Sequence, residues 1–143
     1  MPEIITHSAD ETIAFGRQFA SQLTPPKLVI LRGDLGAGKT TLIKGIVEGF
    51  HAASVEDVTS PTFTLVHEFR SPQADIYHID LYRVDTAREL ETIGLDDLVS
   101  PRSVLLIEWG EKFKRFRNER DVEIVMERMG ENERRISIES LNH

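Results

Sequence analysis

The chain has 143 residues, 24 Asp and Glu against 17 Lys and Arg, and a formal charge of −7, a length that suits one domain with one core rather than a nucleotide domain joined to a separate substrate domain. Hydrophobic residues make up 40% and charged residues 29%, as in ordinary globular proteins. Without a cysteine there is neither a disulfide nor a thiolate metal site, and the acidic balance opposes unaided binding to a polyanion, which draws on many Lys and Arg contacts to phosphate.

No apolar stretch nears the ~20 residues that cross a bilayer, and the first residues lack a basic segment followed by an apolar run, so the expected location is the cytoplasm. Ile4 and Ile5 read as a short first strand. Ser8 with Glu11 makes a capping box for a helix over residues 9–23, with Phe15, Phe19 and Leu23 on one face. That helix is first of all a packing element, although Ser8 or Thr12 would lie well to meet a base or ribose. Pro25-Pro26 breaks it.

Leu28-Val29-Ile30-Leu31 is an apolar run suited to a buried parallel strand, and Thr41-Leu42-Ile43-Lys44-Gly45-Ile46-Val47 has helical apolar spacing. Between them stands Gly33-Asp34-Leu35-Gly36-Ala37-Gly38-Lys39-Thr40, which fulfils G-x-x-x-x-G-K-[ST] in the required strand, loop and helix order. Glycines let the backbone curl so that its N–H groups face inward, and the helix that follows adds its positive end. The stretch predicts an ATP cradle from Gly33 through Thr41, with the ammonium of Lys39 at the β- and γ-phosphates and the hydroxyl of Thr40 as an oxygen ligand of Mg²⁺. Asp34 is the odd member, since a carboxylate beside phosphates is unfavourable unless it is paired or turned away.

Residues 52–59 read as a connection leading to Ser60-Pro61-Thr62. Phe63, Leu65, His67 and Phe69 then alternate with Thr64, Val66, Glu68 and Arg70, Ser71-Pro72-Gln73 turns, and residues 75–83 place Ile76, His78, Asp80 and Tyr82 on one strand face. An antiparallel hairpin here implies a mixed sheet. Thr86 and Glu89 cap a short helix that Gly94 ends. Val104-Leu105-Leu106-Ile107 is a second fully apolar strand, and Val122, Ile124 and Met126 followed by Ile136 and Ile138 read as closing strands at a sheet edge. The fold class is α/β: a single P-loop nucleotide-hydrolase domain over residues 1–143, with a parallel core, an antiparallel hairpin and flanking helices.

A nucleotide cradle needs a carboxylate at the end of another buried strand, to hold Mg²⁺ directly or through water, and Glu108 occupies that place. Thr62 would sense the γ-phosphate as switch segments do. Asp80 would orient the attacking water or bind metal through water, with a paired structural Asp as the alternative. His78 on the same face makes a weak case for a transition-metal pair. Trp109 would pack over the site or form an interaction surface, and Lys112, Lys114, Arg115, Arg117 and Arg120 form a basic cluster that is either a solvated face or a contact for RNA or an acidic partner.

Together, the loop with Thr41, Ser60-Pro61-Thr62-Phe63-Thr64-Leu65-Val66, Tyr77-His78-Ile79-Asp80-Leu81-Tyr82-Arg83, Glu89-Leu90-Glu91 with Gly94, and Ile107-Glu108-Trp109 resemble the TsaE family, over residues 28–111. The resemblance implies a small bacterial Mg²⁺-dependent ATPase working with TsaB and TsaD in threonylcarbamoyl modification of the adenosine 3′ to the anticodon in tRNAs reading ANN codons. It implies that TsaD carries the transfer while the ATPase supports turnover, that tRNA is met through the complex, and that Lys39, Thr40, Glu108, Thr62, Asp80 and Trp109 match positions important for activity. A small-molecule kinase and a nucleotide-dependent adapter are the alternatives; the first would need an acceptor pocket and an Arg-rich lid.

Overall fold

The computed structural model describes residues 2–54 and 66–141. Eight strands form one mixed sheet in the order β1-β8-β7-β2-β6-β5-β4-β3. Its centre is parallel: β2 (Lys27–Arg32) lies between β6 (Ser103–Glu108) and β7 (Val122–Arg128), and β6 also pairs with β5 (Asp75–Asp80). Antiparallel pairs extend both sides, with β8 (Arg134–Ser140) and β1 (Glu3–Thr6) beyond β7, and β4 (Val66–Arg70) and β3 (Ala53–Ser54) beyond β5. The expected mixed sheet and its β4–β5 hairpin are therefore present, although the hairpin's second strand ends at Asp80 rather than residue 83 and Phe63 and Leu65 lie outside the described residues.

Side chains alternate across a strand, and here the alternation separates two cores. Val29 and Leu31 of β2, Val104 and Leu106 of β6 and Ile76 of β5 pack beneath α1 (Ala9–Phe19) and α2 (Lys39–Gly49) with Phe19, Leu42 and Ile46. Ile30, Leu105, Ile107 and Ile79 face the other way, against Leu90 of α3 (Ala87–Ile93) and Phe116 of α4 (Lys114–Glu119). All six residues of β6 are buried, as a strand covered on both faces requires.

Both anticipated caps form. Ser8 Oγ accepts from the Glu11 amide at 3.1 Å and Thr86 Oγ1 from the Glu89 amide at 3.1 Å, satisfying donors that a helix start leaves open. The first helix ends earlier than residue 23, at Phe19, and continues as a 3-10 turn over Ala20–Gln22.

Two expectations are corrected. Residues 52–59 are not wholly a connection, because Ala53 and Ser54 pair with Arg70 and Phe69. The strands after Asp121 do not lie at an edge: β7 is bonded to β2 on one side and β8 on the other, and β1 is the outer strand. Val122, Ile124 and Met126 are buried while the residues between them are partly open, so the alternation reports one covered face and says nothing of position in the sheet.

Candidate nucleotide site

The glycine loop joins β2 to α2 at the carboxyl ends of the parallel strands. Gly36 and Gly38 take φ of 83° and 99°, a region that side chains with a Cβ rarely adopt. Gly38 serves as the N-cap of α2 and its carbonyl accepts from the Leu42 amide at 3.0 Å, so the helix begins where the loop ends. Lys39 is the first helical residue and is 4% exposed. Its ammonium donates to the Gly33 carbonyl at 2.5 Å and lies 4.1 Å from the centre of the Trp109 ring, a cation–π distance. The loop therefore folds back on its own lysine.

Glu108 ends β6 on the same sheet face as α2. It is 5% exposed, and its Oε2 accepts from His78 Nε2 at 2.5 Å and faces the Thr40 hydroxyl at 3.5 Å. Asp80 is the register partner of Glu108 across the β5–β6 pair, and its Oδ1 accepts from the Tyr82 amide at 3.0 Å. The fold thus brings Lys39, Thr40, Glu108 and Trp109 together and sets Asp80 beside them. Thr62 lies outside the described residues.

Trp109 has φ of 67°, and its indole packs on Tyr82 with ring centres 5.2 Å apart and against the core beneath α3 and α4. Asp34, Leu35 and Trp109 line a cavity of ≈ 520 Å³ with Arg32, Glu111 and Met126. On the other flank of the loop, Ser8, Thr12, Gly38, Thr41 and Arg134 enclose a smaller space of ≈ 90 Å³. Thr12 is buried there against Thr6, hydroxyl to hydroxyl at 2.7 Å, and Arg134 is held by the carbonyls of Gly130, Glu131 and Glu133.

The family model described as "Threonylcarbamoyl adenosine biosynthesis protein TsaE" matches residues 6–136. The chain belongs to the TsaE family. Curated relatives named "tRNA threonylcarbamoyladenosine biosynthesis protein TsaE" include one from Bacillus subtilis, 35% identical over 96% of this chain and 85% of its own length, and one from Aquifex aeolicus, 34% identical over 96% of both. A third, from Haemophilus influenzae, is 43% identical over 77% of this chain and 72% of its own. Among solved structures, the crystal structure of Bacillus subtilis YdiB superposes with a TM-score of 0.74 at 30% identity, covering 99% of this chain and 86% of that one. No helix among the described residues is long and apolar enough to cross a membrane.

Beside the TsaE family motifs, four of the five residues of the basic cluster make local contacts. Lys112 donates to the carbonyls of Leu81 and Tyr82 at 3.1 Å each, Arg115 pairs with Asp96, Arg117 donates to the Glu111 carbonyl and Arg120 meets Glu123 at 3.1 Å. These contacts fasten α4 and the turn before it to neighbouring segments. Two site residues escaped the sequence reading. The sequence makes His78 a weak metal ligand on the strand face of Asp80, and its place beside Glu108 comes only from the parallel register of β5 with β6; Arg134, far along the chain, leaves no local signal at all.

Proposed function

We propose that the chain is a Mg²⁺-dependent ATP hydrolase acting in tRNA threonylcarbamoyladenosine biosynthesis together with TsaB and TsaD, slow alone and faster in their company. The observation that carries this reading is the loop itself: a left-handed glycine curl opening a helix, with Lys39 buried against it and Thr40 facing a buried carboxylate.

The triphosphate lies along the loop amides. Lys39 leaves the Gly33 carbonyl and the Trp109 ring for the β- and γ-phosphates, exchanging a neutral acceptor for anionic ones. Thr41 and Arg134 line the smaller space beside Ser8 and Thr12, and in this reading the nucleoside end lies there while the γ-phosphate lies toward Glu108. Thr40 and Glu108 offer a hydroxyl and a carboxylate, hard oxygen donors of the kind Mg²⁺ takes beside phosphates and its own waters. Their 3.5 Å separation is at the outer limit of a hydrogen bond, so no strong contact between them has to be given up to hold the ion. An ion held by Thr40 and Glu108 would offset charge on the leaving and transferring phosphates. Asp80 or Thr62 orders the water; as its oxygen bonds to the γ-phosphorus, the bond to the bridging oxygen breaks and the water's proton is released, giving ADP and phosphate.

Arg32 is held toward Glu123 at 3.7 Å and Arg128 donates to the Gly130 carbonyl at 3.1 Å. These arginines of the larger cavity's wall are thus engaged elsewhere, and a charge supplied by a partner, worth about 10³ to 10⁵ in rate in other nucleotide hydrolases, would complete the site. Steady-state phosphate release measured with and without TsaB and TsaD tests this. The expected result is stimulation of at least about 100-fold; equal rates overturn partner activation, and no hydrolysis in either condition overturns the ATPase reading.

A further inference from the structure

We infer that His78 is a positioning residue for Glu108: by occupying one carboxylate oxygen it fixes the side chain and leaves the other oxygen as the single ligand offered toward the metal. The inference rests on the Mg²⁺·ATP reading above and concerns a residue to which that reading gives no task.

Burial of an ionised carboxylate is costly unless a partner compensates it. Glu108 is 5% exposed, yet the ammonium of Lys39, the nearest expected cation, is turned to the Gly33 carbonyl and the Trp109 ring. The compensation comes instead from His78, whose Nε2 donates to Oε2 at 2.5 Å. The contact follows from the sheet. His78 is paired in register with Leu106, and Glu108 with Asp80, so the two side chains are diagonal neighbours on one face of a parallel pair, within reach only of long or aromatic side chains. The ring is itself backed by His67 from β4, edge to face, with centres 6.1 Å apart.

Both contacts of the carboxylate, from His78 and from Thr40, fall on Oε2. Among the described residues Oε1 has no protein donor recorded against it. A carboxylate held through one oxygen presents the other for one-point ligation, which suits Mg²⁺, an ion that keeps several waters and demands near-octahedral geometry. Outer partners that orient a ligating side chain in this way typically carry about 10- to 100-fold in metal affinity.

The test compares His78→Gln with His78→Asn. Both are neutral amides, but the Gln side chain places its NH₂ near the position of the imidazole Nε2, whereas Asn falls short of Glu108. Mn²⁺ titrations in the presence of ATP, followed by the paramagnetic signal of the free ion, read metal affinity directly; ATP affinity in EDTA and the thermal midpoint are measured on the same samples. The expected result is a loss of about 10-fold in Mn²⁺ affinity for Asn, near-wild-type affinity for Gln, and ATP binding in EDTA unchanged in both. Equal losses in the two variants, or no loss in Asn, overturn the positioning role. Absence of Mn²⁺·ATP binding by the wild-type protein is a different failure, which removes the nucleotide reading and this inference with it.

Discussion

Lys39 illustrates how a single side chain can be stored as well as used. Its ammonium is nearly sequestered from water, and the Gly33 carbonyl and Trp109 ring compensate it. Replacing it with Ala removes a charge-assisted contact to phosphate worth about 1.5 to 3 kcal/mol, so Lys39→Ala should bind ATP about 10- to 100-fold more weakly in calorimetric titration; an unchanged affinity would remove it from the phosphate site. Tyr77 offers a second prediction, on stability. Burial, then the nearby Glu68 and Asp75 carboxylates, raise its phenol above the usual value of 10.0. Below pH about 10 the phenol is protonated in both folded and unfolded chains; above it the unfolded chain releases its proton first, so the contribution is lost as pH climbs through the folded value. Urea denaturation between pH 9 and 11 should accordingly show a shallower alkaline decline for Tyr77→Phe than for the wild type (both limits approximate).

The pairing of α1 with α2 is the element on which the loop's position depends, because α2 begins at the glycine loop and packs with α1 over one face of the sheet. The two helices approach closely at glycines. A Cβ added at Gly45 would lie 2.2 Å from the Ile13 carbonyl oxygen, and one at Gly49 would lie 2.5 Å from that of Arg17. Backbone cannot yield as a flexible side chain does, so Gly45→Ala must push the helices apart. Overpacking of this kind costs about 1 to 3 kcal/mol, to be read as a lowered midpoint in chemical denaturation; a midpoint equal to the wild type would mean that the helices are free to shift. The strand elements obey a different rule. Glu108 reaches the nucleotide side because β6 presents alternate residues to opposite faces, Val104 and Leu106 beneath α2 and Leu105 and Ile107 beneath α3 and α4. Inserting one residue in β6 would exchange the faces and carry the carboxylate away from Thr40.

Across the whole molecule, the candidate site draws on the carboxyl ends of the parallel strands and on an antiparallel strand: the loop after β2, Glu108 from β6, His78 and Asp80 from β5, and Arg134 from β8. A ligand that touches all of these stabilises the folded chain as a unit. Mg²⁺·ATP at about 100 times its dissociation constant should add about 2.7 kcal/mol by linkage, which for a chain of this size raises the thermal midpoint by roughly 9 °C. Differential scanning fluorimetry with ATP, with and without EDTA, checks the shift and its dependence on metal; no shift with Mg²⁺·ATP would argue against the site.

What the sequence settled was local. The glycine loop, its lysine and threonine, the caps at Ser8 and Thr86 and the β4–β5 hairpin are each contained in a short stretch, and their backbone geometry follows from which residues tolerate left-handed φ, cap a helix start or alternate in a strand. Tertiary structure alone decided the neighbours. Nothing near Val122 says that β7 adjoins β2, because hydrophobic alternation records which face is covered and the bonding partner on either side is left open. Likewise His78 and Glu108 are 30 positions apart, and only the parallel register of β5 with β6 turns two ordinary polar residues into a buried pair beside the anion-binding loop.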